Sequence, residues 1–239
     1  MTVTVNVQPD ARPDLGRPGV GVVKVSTWDV GTPQRQRAAV EAILKAWQSR
    51  DWPSAGLLSY TVHIGEDGRT LLHYTQWTDE DAAQDFSDNH RDGRVAEIDA
   101  AVPGIERLGI HSYTLYRSGG LGADERRVPG CVVIVDVEFD GPDAARQRAW
   151  VDGVFEALES DSHLHPGGIA GYFHISVDGT RVLNYAEWEG AQAHREALAG
   201  PGDGVGSTTP QWAKVQSFPD VSGGGVNRYT PALSLSAGV

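Results

Sequence analysis

Apolar and polar positions change period along the chain in a fixed order, and the order occurs twice. An apolar run, Val20–Trp28, reads as a strand. Thr32-Pro33 then offers a helix cap and a first-turn proline. Val40, Ile43, Leu44 and Trp47 follow at i, i+3, i+4 and i+7, the spacing of one helix face. Two β-rich runs, about 57–64 and 69–77, flank Asp67-Gly68, a strong hairpin signal. A second helical region spans about 79–102, broken at His90–Gly93, and a last strand lies near His111–Tyr116. The second pass opens with Cys131–Phe139, and Gly141-Pro142-Asp143 stands where the cap and proline stood. Val151, Val154, Phe155 and Leu158 form the helix face, and strands 168–176 and 180–188 flank Asp178-Gly179. A helical region at 189–218, broken at Pro201–Ser207, and a strand near Val226–Leu233 complete it.

The two passes are copies. Shifting the sequence by 111 residues aligns 18–77 with 129–188 without a gap, at 19 identities in 60 positions. Arg35-Gln-Arg-Ala38 falls on Arg146-Gln-Arg-Ala149, His63-Ile64 on His174-Ile175, and Trp77 on Trp188. Further on the shift becomes 116, placing Tyr113-Thr114 on Tyr229-Thr230. The repeats run over about 18–118 and 129–235, joined by a glycine- and charge-rich linker, Gly119 to Val128. Each reads β-α-β-β-α-β, the ferredoxin-like arrangement. One such half leaves a sheet face uncovered, and two halves can cover each other. The predicted architecture is therefore α+β: two ferredoxin-like repeats forming an intrachain pseudo-dimeric α+β barrel. The chain is expected to be a monomer built as a pseudo-dimer, with a homodimer as the alternative state.

Composition narrows the partners. Apolar residues make up 40% and charged residues 22%, an ordinary globular balance. The 32 acidic against 20 basic groups give a net charge of −12, which argues against nucleic acid and against an anionic membrane surface. No apolar run approaches the ~18 residues of a membrane helix. Met1 to Gly19 is polar and proline-bearing, unlike a secretory leader, and a cytoplasmic location is expected. The single cysteine, Cys131, lies in the run Cys131-Val-Val-Ile-Val135 and reads as a small buried hydrophobe.

The chemistry-bearing segment is His174 to Trp188. Strand alternation puts Asn184, Ala186 and Trp188 on one face, so that an amide and an indole N–H look into the same space. His73, Thr75 and Trp77 share that face in the first repeat. Trp77 and Trp188 read equally well as core anchors, but an Asn on a buried face must be hydrogen-bonded or face a polar cavity. His163-Leu-His165 lacks a third ligand at metal-binding spacing, so no metal site is expected. No glycine-rich phosphate loop follows a strand, which leaves nucleotide cofactors unsupported.

His174, the turn Asp178-Gly179-Thr180, Asn184-Tyr185-Ala186, Trp188 and Gln192-Ala193 carry a resemblance to the antibiotic-biosynthesis monooxygenases, in their small quinone-forming branch. It extends over most of 129–235 and more loosely over 18–118. The resemblance implies oxygenation of an aromatic polyketide, anthrone or naphthol to quinone, with O₂ and without flavin, haem or metal. It implies that Asn184 and Trp188 hold substrate oxygens or a peroxide. Two family tyrosines fall on Phe173, beside Tyr172, and on His194, which becomes the candidate proton shuttle. Trp212 aligns with a family arginine. Tyr172, Phe173, Trp212 and, in the first repeat, His73 and Trp77 are the candidate substrate contacts. In the first repeat Val62 and Ala83 stand where the tyrosines should be, so that half reads as a partner that lost its site or acquired a His-based one. Two other readings stay open: a non-catalytic protein that binds and shields an aromatic polyketide, and a cyclase or decarboxylase on the same scaffold.

Overall fold

The computed structural model describes residues 3–53, 56–120, 126–162, 165–200 and 208–238. The described residues form nine strands and six helices. These are β1 (Val5–Val7), β2 (Val22–Asp29), α1 (Pro33–Gln48), β3 (Leu57–Gly65), β4 (Thr70–Trp77), α2 (Glu80–Asn89), α3 (Arg91–Ala101) and β5 (Glu106–Gly120). Then follow β6 (Cys131–Phe139), α4 (Ala144–Ser160), β7 (Gly168–Ser176), β8 (Arg181–Trp188), α5 (Ala191–Leu198), α6 (Pro210–Gln216) and β9 (Val221–Ala237). The chain divides into two compact units: Met1–Tyr113 with Tyr229–Val239, and Thr114–Arg228.

In the first unit the strand order is β1-β9-β3-β4-β2-β5, antiparallel throughout. Helix α1 caps on Thr32, whose side chain accepts from the Arg35 N–H, and Pro33 opens it as the spacing predicts. Ile43 and Trp47 of its apolar face are buried in a core with Tyr60, Val62, Trp77 and Leu235. The break in the second helical region falls at His90, which ends α2 and begins α3.

The second unit carries the order β5-β7-β8-β6, with β9 pairing with β6. Here the cap of α4 is Asp143, which accepts from the Ala145 and Arg146 N–H groups. Pro142 precedes the cap and is not a first-turn proline, which corrects the expected parallel with Pro33. Cys131 is buried beside Val133, Ala186 and Trp188, as a small hydrophobe would be. The predicted helix break at Pro201–Ser207 lies outside the described residues.

The repeated Arg-Gln-Arg-Ala motif now has a physical reason in each unit. Gln36 Nε2 donates to the Gly65 and Thr70 carbonyls, and Gln147 Nε2 to the Ser176 and Arg181 carbonyls. Each glutamine so ties a helix to the ends of the following hairpin. Arg35 bonds the Val30 and Pro103 carbonyls, and Arg146 those of Asp140 and Gly141.

Two strands exceed their predictions. β5 and β9 extend well beyond His111–Tyr116 and Val226–Leu233, and the boundaries between units fall inside them. The compact units therefore differ from the repeats at 18–118 and 129–235: residues 114–118 count with the second unit and 229–235 with the first. β1 was not foreseen, because three residues reading Val-Asn-Val are too short to show a period.

Candidate active site

The second unit contains a cavity of about 370 Å³ between its sheet and helices α4, α5 and α6. β7 and β8 supply its floor and α4 its roof through Val154, Phe155 and Leu158. The lining is mainly apolar, the usual character of a small-molecule site. Gly119 and Gly120, at the end of β5, form one wall. A Cβ on Gly119 would lie 2.8 Å from the Phe155 ring, and one on Gly120 2.9 Å from the Ile169 carbonyl oxygen. Only glycine lets the strand come this close.

The alternation expected of β8 holds: Asn184, Ala186 and Trp188 all line the cavity. Asn184 sits opposite Val135 on β6 and Phe173 on β7. Its Oδ1 is buried and has no hydrogen-bond partner among the described residues. Such an acceptor in an apolar wall is costly unless something satisfies it. A Cβ on Gly171 would lie 3.2 Å from the Phe173 ring edge and 3.3 Å from that Oδ1, so ring and oxygen both border the space above Gly171.

Trp188 is 7% exposed, and His194 of α5 meets it edge-on, with ring centroids 4.9 Å apart at 71°. The first repeat shows what Trp188 lacks. There the Trp77 indole N–H donates to Thr75 Oγ1 at 2.8 Å, whereas the counterpart of Thr75 is Ala186, which offers no acceptor. His194 is buried, and its Nδ1 accepts a hydrogen bond from Arg228 Nε at 2.9 Å. Because a guanidinium N–H only donates, Nδ1 is unprotonated and the imidazole carries its proton on Nε2. His194 is thus set as a donor from Nε2.

The other candidates divide. Phe173 and Trp212 line the cavity. Trp212 is a wall and not a donor to ligand, since its Nε1 donates to Asp161 Oδ2 at 2.9 Å. Tyr172 is not a cavity residue: it pairs with Tyr185 on the opposite sheet face, and its carbonyl meets His174 Nδ1 at 2.9 Å. His73 and Trp77 are buried in the first unit. His73 lies 2.8 Å from the Tyr60 hydroxyl and 4.0 Å, ring to ring, from Trp28. Burial pushes its pKa down to about 3, so it is neutral and a weak base. Its Nε2, like Asn184 Oδ1, is buried without a hydrogen-bond partner among the described residues.

Sequence reasoning missed Gly171, Gly119, Gly120, Arg228 and His165. His165 lines the cavity, stands 6.2 Å from the Trp188 ring, and its Nδ1 accepts from the Gly167 N–H. A histidine doublet was its signal, but His163 lies outside the described residues. Among the described residues no three His, Cys, Asp or Glu side chains gather as a metal-binding group. No described helix is long and apolar enough to cross a membrane.

No protein-family model and no curated protein matches the chain. Solved structures do. An anthrone oxidase-like protein aligns with a TM-score of 0.64 at 19% identity, over 91% of this chain and 94% of its own. A protein from Lactobacillus acidophilus NCFM assigned as a monooxygenase aligns with a TM-score of 0.52 at 10% identity, over 89% and 95%. A monooxygenase from the gene ActVA-Orf6 of Streptomyces coelicolor, crystallised with nanaomycin D, matches 44% of this chain and 88% of its own at 31% identity, with a TM-score of 0.32. The anthrone oxidase-like and Lactobacillus proteins establish, over nine-tenths of its length, the fold this chain shares.

Proposed function

We propose that the chain is a cofactor-independent monooxygenase that oxidises an aromatic polyketide, anthrone or naphthol to quinone, in bacterial antibiotic or pigment biosynthesis. The observation that carries this reading is the unpartnered Asn184 Oδ1 in the wall of an apolar cavity, beside Trp188 and His194. A flat aromatic ligand bearing a hydroxyl group can donate to that oxygen and fill the apolar remainder. The reading is supported by the names of the similar structures, one of them anthrone oxidase-like.

The chemistry needs little from the protein. A hydroxyaryl substrate is itself the reductant once deprotonated. The amide Nδ2 of Asn184, the indole N–H of Trp188 and the Nε2–H of His194 are donors for the resulting anion. The apolar walls exclude water and so strengthen those hydrogen bonds. The anion reduces O₂, and one oxygen atom bonds to the ring carbon. The proton lost by the substrate passes to water and is taken up by the outer peroxide oxygen, which the Nε2–H of His194 can hydrogen-bond. The O–O bond and the remaining C–H bond of that carbon then break, leaving the carbonyl and one water. An aromatic CH₂ and O₂ thus give C=O and H₂O with no external reductant.

The test is oxygen uptake with an anthrone by protein freed of metal and flavin. One quinone per O₂ is expected. Asn184→Ala should lower turnover by about 10²–10³-fold, the usual loss on removing one oxyanion donor. No uptake above the spontaneous rate, or an undiminished Asn184→Ala enzyme, would overturn the reading.

A further inference from the structure

The two repeats align residue on residue by the shift of 111 over 18–77 and 129–188, so the first unit shows which side chains stand at the matching places of the second. The strand registers agree: Tyr60 pairs with Thr75 and Val62 with His73, while Gly171 pairs with Ala186 and Phe173 with Asn184. Two positions at the cavity lose bulk: Trp47 becomes Leu158, and Tyr60 becomes Gly171. Val62, by contrast, becomes Phe173, whose ring edge lies beside Gly171, 3.2 Å from where a Cβ there would be. In the first unit the Tyr60 ring packs 4.9 Å from Trp47, and both are buried in the core. The Tyr60 hydroxyl reaches diagonally across the strands to His73 Nδ1, at 2.8 Å. His73 is the counterpart of Asn184. The second unit keeps the polar partner, leaves its Oδ1 unpartnered, and deletes the phenol.

We propose that Gly171 is the residue that sets the specificity of the cavity, and that a hydroxyaryl ring of the ligand lies over it. Its hydroxyl donates to Asn184 Oδ1, in the place that the Tyr60 phenol takes beside His73. The first unit carries its own phenol in the chain, and the second takes one from solution. It follows that each chain binds one hydroxyaryl ligand, in the second unit. The proposal rests on reading the cavity as a hydroxyaryl site, but not on the oxygen chemistry.

The experiment is anaerobic binding of 2-naphthol, followed by calorimetry on the full chain, with naphthalene and 2-methoxynaphthalene as controls. One 2-naphthol per chain is expected, bound about tenfold or more tightly than either control, since neither can donate to the amide. Gly171→Tyr should abolish 2-naphthol binding, and its crystal structure should place the new hydroxyl on Asn184. Gly171→Ala keeps the backbone unstrained and puts a methyl 3.2 Å from the Phe173 ring and 3.3 Å from Asn184 Oδ1, contacts that a few tenths of an ångström of side-chain movement relieve. It should therefore weaken binding severalfold while changing the melting temperature by no more than a few degrees. The alanine variant decides the matter where the tyrosine variant does not fold. Equal binding of 2-methoxynaphthalene, two ligands per chain, or wild-type affinity in Gly171→Ala would overturn the proposal. Hydroxyl-dependent binding without oxygen uptake would remove the monooxygenase reading and leave this one standing. Oxygen uptake indifferent to Gly171 would do the reverse.

Discussion

His63 and His174 occupy matching places in the two repeats, and burial alone accounts for their state. Desolvation pushes each from the ordinary 6.5 down to about 4, against backbone hydrogen bonds that oppose the shift, and His73 is taken to about 3. The folded protein therefore refuses protons that the unfolded chain accepts. Stability is greatest above pH 6.5, falls as the pH drops from 6.5 towards 4, and levels off below the folded values. His63 and His174 each contribute on the order of 3 kcal/mol to that loss, and His73 somewhat more. Urea midpoints measured across pH 7.5 to 4 should show it, and His174→Gln should flatten the curve. Asn184 presents the opposite balance. Its unpartnered oxygen costs stability, so Asn184→Leu should raise the melting temperature by roughly 2–4 °C, for about 1 kcal/mol, while removing activity. A melting temperature that falls would mean that Asn184 is a structural residue. At this scale the sequence showed Asn184, Trp188 and His194 as polar or aromatic residues in suggestive places. Gly171 escaped it because a glycine acts here by what it omits, and only the filled counterpart at Tyr60 makes the omission visible.

Between residue and molecule, the element most exposed to test is the clamp of helix to hairpin. Gln147 is fully buried, and its Nε2 serves the Ser176 hydroxyl at 3.0 Å as well as the two carbonyls. Gln147→Leu would strand those acceptors and should cost about 2–3 kcal/mol, with a matching loss for Gln36→Leu in the first unit. Chemical denaturation of both variants checks the pair. A clamp of this kind was readable only as a repeated string, since its partners lie about thirty residues away along the chain. The hairpins were legible because Asp-Gly turns and alternation are local signals. The reach of β5 and β9 was not, because their outer residues are strand only by virtue of distant partners: Val5–Val7 against Leu235–Ala237, for example. The proline before α4 misled for a related reason, as capping turns on one side chain, Asp143, and not on a nearby proline.

For the molecule as a whole, the acidic balance and the buried histidines act in the same pH range. The isoelectric point is about 5.0, so the repulsion that keeps chains apart vanishes while the histidines are withdrawing stability. Light scattering should therefore show a solubility minimum near pH 5. The last strand offers a second test. Thr61 Oγ1 meets Ser234 Oγ at 2.9 Å, the Gln8 N–H donates to the Ser234 carbonyl, and Leu233 and Leu235 sit in the first unit's core. Removing residues 229–238 should strip hydrogen-exchange protection from β1 and β3 and leave β6, β7 and β8 protected. Loss confined to the second unit would contradict the assignment of β9. That strand also fixes an order of events during synthesis. Most of the first unit leaves the ribosome before the second, yet its sheet keeps a vacant place between β1 and β3 until 229–237 have been made. The second unit, Thr114–Arg228, has its whole chain available before that. Of the two halves, the one begun first is thus completed last, and a nascent chain carries an unpaired strand edge at β3 until β9 is made, the kind of edge that chaperones exist to cover.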